Sequence, residues 1–242
     1  ASEQSIRLNP DVSASYGGVA THSLFLDRYP QAAEALQRAE QRKLEEPEFV
    51  VIRYYLAFLK GDQAGMDREI ANAIGKHAED RMSHHQALVL ARSGRMTQAR
   101  ILWERAIALA KQAGNRETAA LYEAAAAVFE AEFGNRAEAK RRAGNALQLA
   151  KGRDVEYAAA FSLALSGERS EAERLAADLD KRFPEDTPVQ FEYLPTLGAI
   201  FALDQRAPSE AIARLQKAAP YDLARPGTAF VGMFGGLYSA YF

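Results

Sequence analysis

The chain has 242 residues, enough for one or two ordinary domains or one elongated repeat array. A formal net charge of −2 removes the electrostatic case for a nucleic-acid binder, which carries a basic stripe, and the absence of cysteine excludes disulfides and thiolate metal sites. Hydrophobic residues make up 48%, ample for a core, yet no run of about 18–20 apolar residues reads as a membrane span and no segment reads as a signal peptide.

In chain order, residues 5–10 (SIRLNP) read as the tail of a second helix belonging to an earlier repeat. Six two-helix repeats then follow at 13–46, 47–79, 80–119, 120–152, 153–191 and 192–225, with a terminal helix expected at 228–242. Each repeat is registered on one residue of its second helix: Ala32, Met66, Ala99, Ala139, Ala172 and Ala211. The intervals between them are 34, 33, 40, 33 and 39 residues. Twelve residues earlier stands a first-helix position that wants a small side chain: Ala20, Tyr54, Ala87, Ala127, Ala160 and Ala199. Only Tyr54 departs. Five residues before each register residue comes the turn: Asp27, Gly61, Gly94, Gly134, Gly167 and Arg206. Glycine suits a helix end in the left-handed region, which a Cβ atom opposes. Pro208 fits the start of its helix, where no N–H is needed.

The clearest copy is Ala87, Leu90, Gly94, Ala99, Trp103, Ala106. This small-large-glycine-small-large-small pattern resembles the tetratricopeptide repeat, a helix-turn-helix unit of about 34 residues. The resemblance implies an all-α fold, a right-handed superhelical α-solenoid. Small side chains let paired helices approach, and the large one fills the adjoining groove. The two long intervals read as a third-repeat second helix that runs on through Lys111 and a linker after Phe183 and Pro184. Both ends read as cut, so the expectation is a piece of a longer protein. The terminal helix would expose Phe230, Phe234, Tyr238, Tyr241 and Phe242, a surface that could pair two copies.

Signals for catalysis are poor. His84 and His85 are adjacent, so on a helix they point about 100° apart and cannot hold one metal from one face. No HExxH, GxSxG or kinase catalytic loop occurs. Gly227 and Gly232 have phosphate-loop spacing, but Met233 stands where lysine is needed. Lys140, Arg141 and Arg142 read as a solvated face of a second helix. Trp103 reads as packing. No cofactor and no metal are expected.

In a tetratricopeptide array the first helices line a concave groove. Groove positions 2, 5, 9 and 12 give Glu48, Val51, Tyr55 and Phe58 in the second repeat and Arg81, His84, Leu88 and Ala91 in the third. They give Asp154, Tyr157, Phe161 and Ala164 in the fifth, and Tyr193, Thr196, Ile200 and Leu203 in the sixth. Repeats that grip a terminal carboxylate carry lysine and asparagine at positions 5 and 9, and these are lacking here. The groove suits an extended or helical peptide segment with apolar anchors, unless another part of the chain covers it. Tyr55, Phe58, Arg81, His84, Leu88, Tyr157, Phe161 and Tyr193 are the candidate partner-binding residues. On this reading, alanine at Tyr157 and Phe161 weakens capture of a partner and leaves helical content intact.

Four stretches reach beyond the general repeat: LAFLKGD (56–62), ETAALYEAAAAVFEAEFGN (117–135), KRFPEDTPVQFEYLPTLGAIFAL (181–203) and AAPYDLARPGT (218–228). They resemble the tetratricopeptide region C-terminal to the kinase domain of certain bacterial serine/threonine protein kinases, from about Tyr16 onward. The resemblance implies a sensory, scaffolding or docking region, with no catalytic residue carried over. Similar repeats also stand behind winged-helix domains of bacterial regulators. The expected function is a non-enzymatic protein-interaction module with a protein or peptide partner, in the cytoplasm. The alternatives are a small-ligand sensor, and an extracytoplasmic part of a membrane-anchored protein.

Overall fold

The computed structural model describes residues 2–221, and among these every regular element is helical. The chain forms two compact units, 1–86 and 87–242, with the boundary inside one helix. Unit 1 holds α1 (Ser2–Leu8), α2 (Ser13–Phe25), α3 (Tyr29–Gln41), α4 (Pro47–Leu59), α5 (Gln63–Ala73) and the first half of α6 (Glu79–Arg92). Unit 2 holds the rest of α6, α7 (Met96–Gln112), α8 (Arg116–Glu132), α9 (Arg136–Leu149), α10 (Arg153–Leu165) and α11 (Arg169–Arg182). A π-helical turn, Val189–Tyr193, then leads into α12 (Leu194–Asp204) and α13 (Pro208–Leu215). The expected helix at 228–242 lies outside the described residues.

Consecutive helices pack as antiparallel pairs, and pairs stack on pairs. In unit 1, α2 packs on α3 and α4 on α5, while α4 also touches α2 and α3. In unit 2, α8 pairs with α9, α10 with α11 and α12 with α13; α10 also meets α8 and α12. First helix against first helix is the arrangement of an α-helical repeat.

The turns inside the pairs share one construction. Asp27, Gly61, Gly94, Gly134, Gly167 and Arg206 all have positive φ. After each, the next N–H reaches back five residues: Arg28 to Ser23 O at 2.8 Å, Asp62 to Ala57 O at 2.9 Å, Arg95 to Leu90 O at 2.9 Å. Asn135 reaches Glu130 O at 2.8 Å, Glu168 reaches Leu163 O at 2.9 Å and Ala207 reaches Ala202 O at 2.9 Å. These are Schellman closures, which satisfy carbonyls the helix end would otherwise leave bare. Proline sits in the first turn of α3, α4, α12 and α13, and the Asp62 side chain caps α5 by accepting from Gly65 N–H at 2.9 Å.

The packing follows from side-chain size. In unit 2, Ala87, Ala99, Ala106, Ala110, Ala119 and Ala126 surround Trp103, all fully buried. The Trp103 ring lies 5.7 Å from that of Phe129. Helix α8 is covered around nearly its whole circumference, because alanine at 119, 120 and 124–127 lets its neighbours close in from several sides.

The buried charges of α8 need partners in this setting, and they have them. Glu130 accepts two bonds from Arg100 of α7, at 2.6 and 2.7 Å, and one from Asn135 at 2.8 Å. Glu123 accepts from Arg142 at 3.1 Å and from Asn145 at 3.2 Å, both on α9. Arg142 is only 1% exposed and also reaches Glu104 at 2.7 Å. This corrects the reading of the basic run as a solvated face. Lys140 and Arg141 are exposed in pairs with Glu168 and Glu138, but Arg142 points inward.

The turn construction predicts a stabilising change. Arg206 is exposed and holds φ +59° with a Cβ atom. Arg206→Gly relieves left-handed strain of roughly 1–2 kcal/mol against a chain-entropy cost of about 0.5–1 kcal/mol. The expected outcome is a gain of about 0.5–1 kcal/mol in chemical denaturation; a loss of stability counts against the strain account.

Candidate partner-binding face

The proposed groove residues fall in both units. Tyr55, Phe58, Arg81 and His84 belong to unit 1, and Leu88, Tyr157, Phe161 and Tyr193 to unit 2. Each unit is taken by itself.

In unit 1, α4 presents Tyr55 and Phe58 half-buried, one helical turn apart on the same face. The Tyr55 hydroxyl bonds to His85 Nδ1 at 2.8 Å, and the two rings meet edge-on with centroids 5.3 Å apart. Arg81 donates to Glu48 at 3.3 Å; the Arg81 side chain is 25% exposed and that of Glu48 is 42% exposed. His84 is fully buried against His85. Burial, the neighbouring His85 and Arg81 together push its pKa well below the usual imidazole range. A neutral, enclosed imidazole packs and offers no surface. Burial likewise raises the Tyr55 phenol far above its ordinary value, so the ring is a hydrogen-bonding anchor and not an acid.

Unit 2 differs. Tyr157 and Tyr193 are 2% exposed and Phe161 is fully buried. Tyr157 and Tyr193 stack with centroids 3.8 Å apart and planes within 3°, and Phe161 meets Tyr157 edge-on at 6.1 Å. The Tyr193 hydroxyl donates to Asp154, which also accepts from Arg153, and Arg153 reaches on to Asp186 at 2.6 Å. Leu88 is buried beside Ala91. Along α8 the groove positions Leu121, Ala124 and Val128 are closed too. The expectation of an open aromatic groove therefore does not describe these residues of unit 2: the Tyr157, Phe161 and Tyr193 rings join α10 to the π-helical turn that leads into α12. The signal that reveals this lies in the sequence. Ala124, Ala125, Ala158 and Ala159, small residues that let α8 and α10 pack together, are buried in one cluster with the three rings.

Sequence reasoning also missed a carboxyl pair beside Tyr157. Glu156 is 3% exposed, and desolvation, then a hydrogen bond to Asp178, raises its pKa to about 7. Asp178 is held below its usual value by Arg182 and by that same hydrogen bond. Arg182 Nη1 bridges both, 2.6 Å from Glu156 and 2.9 Å from Asp178. Glu156 can thus accept from Arg182 through one oxygen and hand its proton to Asp178 through the other.

Among the described residues, no group of three or more histidine, aspartate or glutamate side chains is placed to hold a metal ion. No described helix is long and apolar enough to cross a membrane. The chain matches no family model, no curated protein and no solved structure.

Two outcomes follow. Tyr157→Ala or Phe161→Ala opens a cavity in a closed stack and should cost about 3–5 kcal/mol, lowering the midpoint of the helical unfolding transition; a midpoint left in place would show that the rings are not packed. Glu156 has a folded pKa above its unfolded value, so its favourable contribution is full below about 4.5 and is lost as pH rises through about 7. Glu156→Gln should therefore gain stability relative to the parent chain between pH 5 and pH 7.5. A difference that stays flat across this window speaks against the proton-sharing pair.

Proposed function

We propose that this chain is a non-enzymatic protein–protein interaction module, the scaffolding or docking repeat region of a larger bacterial signalling protein. Its hairpins follow the right-handed superhelical course of tetratricopeptide arrays. The observation that carries this reading is the α4 face of unit 1. Tyr55 and Phe58 stand there half-buried, and Glu48 and Arg81 stand beside them as a partly exposed ion pair. Aromatic anchors with a polar rim are the anatomy of a binding hot spot. Helical repeats commonly use such faces for an extended or helical segment with apolar anchors. The resemblance of residues 56–62, 117–135, 181–203 and 218–228 to kinase-linked repeats supports the signalling setting. The net charge of −2 disfavours direct contact with nucleic acid. Cytoplasmic placement belongs to the same proposal.

The test uses Phe58, which carries no polar bond and is not enclosed. Partners captured on the immobilised parent chain are identified, and their affinity for Phe58→Ala and Arg81→Ala is measured. We expect at least about tenfold weaker binding for Phe58→Ala, with an unchanged helical spectrum, and a smaller loss for Arg81→Ala. Equal affinity for parent and Phe58→Ala would overturn the assignment of this face.

A further inference from the structure

Unit 1 has a second feature that the α4 face does not use. A cleft of about 640 Å³ lies where α3 hands over to α4 and where α5 hands over to α6. Its floor is apolar: Leu36, Leu44, Phe49, Val50 and Ala78. Its two margins carry opposite charge. The last turn of α3 contributes Glu40, and the α3–α4 connection contributes Glu45 and Glu46 against a single cation, Lys43. The α5–α6 connection contributes Lys76 and His77, with Asn72 from the end of α5, and the one carboxylate beside them, that of Glu79, is taken up by the Gly75 N–H at 2.6 Å.

Several of these groups are already committed. Glu46 accepts from Ser13, and Arg53 on α4 is bound to Glu69 at 3.0 Å. Glu40, Glu45 and Lys76 are exposed and make no side-chain hydrogen bond or ion pair among the described residues. Carboxylates and an ammonium held apart over an apolar floor leave each sign available to a ligand. The backbone holds both margins in place. Lys43 sits at φ +59° and Gly75 at φ +71°, each in the left-handed end of a helix. For Lys43 this is a strained position, closed by Leu44 N–H to Ala39 O at 3.0 Å.

We propose that this cleft binds a small zwitterion with an apolar body, a short peptide with both termini free. Its ammonium meets Glu40 and Glu45, its carboxylate meets Lys76 and His77, and its side chains lie on Leu44, Phe49 and Val50. A di- or tripeptide suits the volume, which falls in the range of about 300–1,000 Å³ typical of small-ligand sites. A ligand carrying only one sign would leave one margin unanswered. The cleft shares no lining residue with Tyr55 or Phe58, so this inference and the interaction face stand or fall separately.

The experiment titrates the intact chain with the tripeptide Ala-Leu-Ala in three forms, free, N-acetylated and C-amidated, and with free leucine. Calorimetry reads affinity, and methyl NMR of Leu44, Val50 and Ala78 reads location. We expect the free tripeptide to bind best, with each cap weakening it by about fivefold, the scale of one partly exposed ion pair. In Lys76→Ala the C-amide penalty should vanish while the N-acetyl penalty stays. Glu45→Ala combined with Glu40→Ala should do the reverse. Both variants change exposed residues, and an unchanged helical spectrum checks that they fold. Free leucine binding as well as the tripeptide would overturn the peptide assignment. No binding up to about 10 mM, or capped and free forms binding alike, would overturn the proposal as a whole.

Discussion

How closely two helices can approach governs most of unit 2. A helix pair faced with alanine comes nearer than one faced with leucine, and every contact made at that spacing gains dispersion energy only if the neighbours also have little to displace. Helix α8 shows the result. Alanine at 119, 120 and 124–127 admits α7, α9 and α10 at once, so the helix is enclosed although it carries four glutamates and is not strongly apolar. Trp103 is the complement of this arrangement. One large ring occupies the volume that six fully buried alanines leave, and neither could be exchanged alone.

Alanine faces have a weakness, however: they are alike at every turn. An interface of methyl groups distinguishes poorly between one register and the next, and a slide of one turn would cost little packing. We read the buried charges of α8 as the answer to that degeneracy. Glu130 accepts a forked pair of bonds from Arg100, and Glu123 meets Arg142 and Asn145. Removing these charges from water offsets much of what their attraction contributes, so net stability is a poor reason for their presence. Shifting α8 by one turn against α7 or α9 would strand the carboxylates without partners in the interior. That penalty, several kcal/mol for each stranded charge, falls on wrong registers only.

The same physics explains what could be read from the sequence. The hairpins were legible because their determinants are local: a left-handed turn residue at Gly61, Gly94, Gly134 and Gly167, followed five positions later by alanine in all but the first, where Met66 stands. Even Asp27 and Arg206, which lack glycine's freedom, adopt the same closure, since pairing of the flanking helices outweighs roughly 1–2 kcal/mol of strain. The groove was less legible because position numbers tell which way a side chain points from its own helix, but not how near the next helix comes. Tyr157, Phe161 and Tyr193 occupy groove positions in the repeat numbering and are nonetheless enclosed, in a cluster rich in alanine. Arg142 failed for a related reason. A basic triplet on a second helix reads as solvated until three carboxylates at 104, 123 and 138 are found around it, and these lie far apart in the chain.

This contrast places the candidate surfaces. The α8 sequence RETAALYEAAAAVFEAE closes its surroundings, whereas α4, PEFVVIRYYLAFL, has one alanine and large side chains along its length. Large side chains cannot all be covered by neighbours that they themselves hold at a distance. Tyr55 and Phe58 remain half-exposed, and the space between successive connections stays open as a cleft over Phe49 and Val50. Where alanine is dense, aromatic rings become core. Where it thins out, rings of the same type at equivalent repeat positions become available to something else. The groove position of a residue is therefore not enough to make it a contact residue; the volume of the helix packed beside it decides.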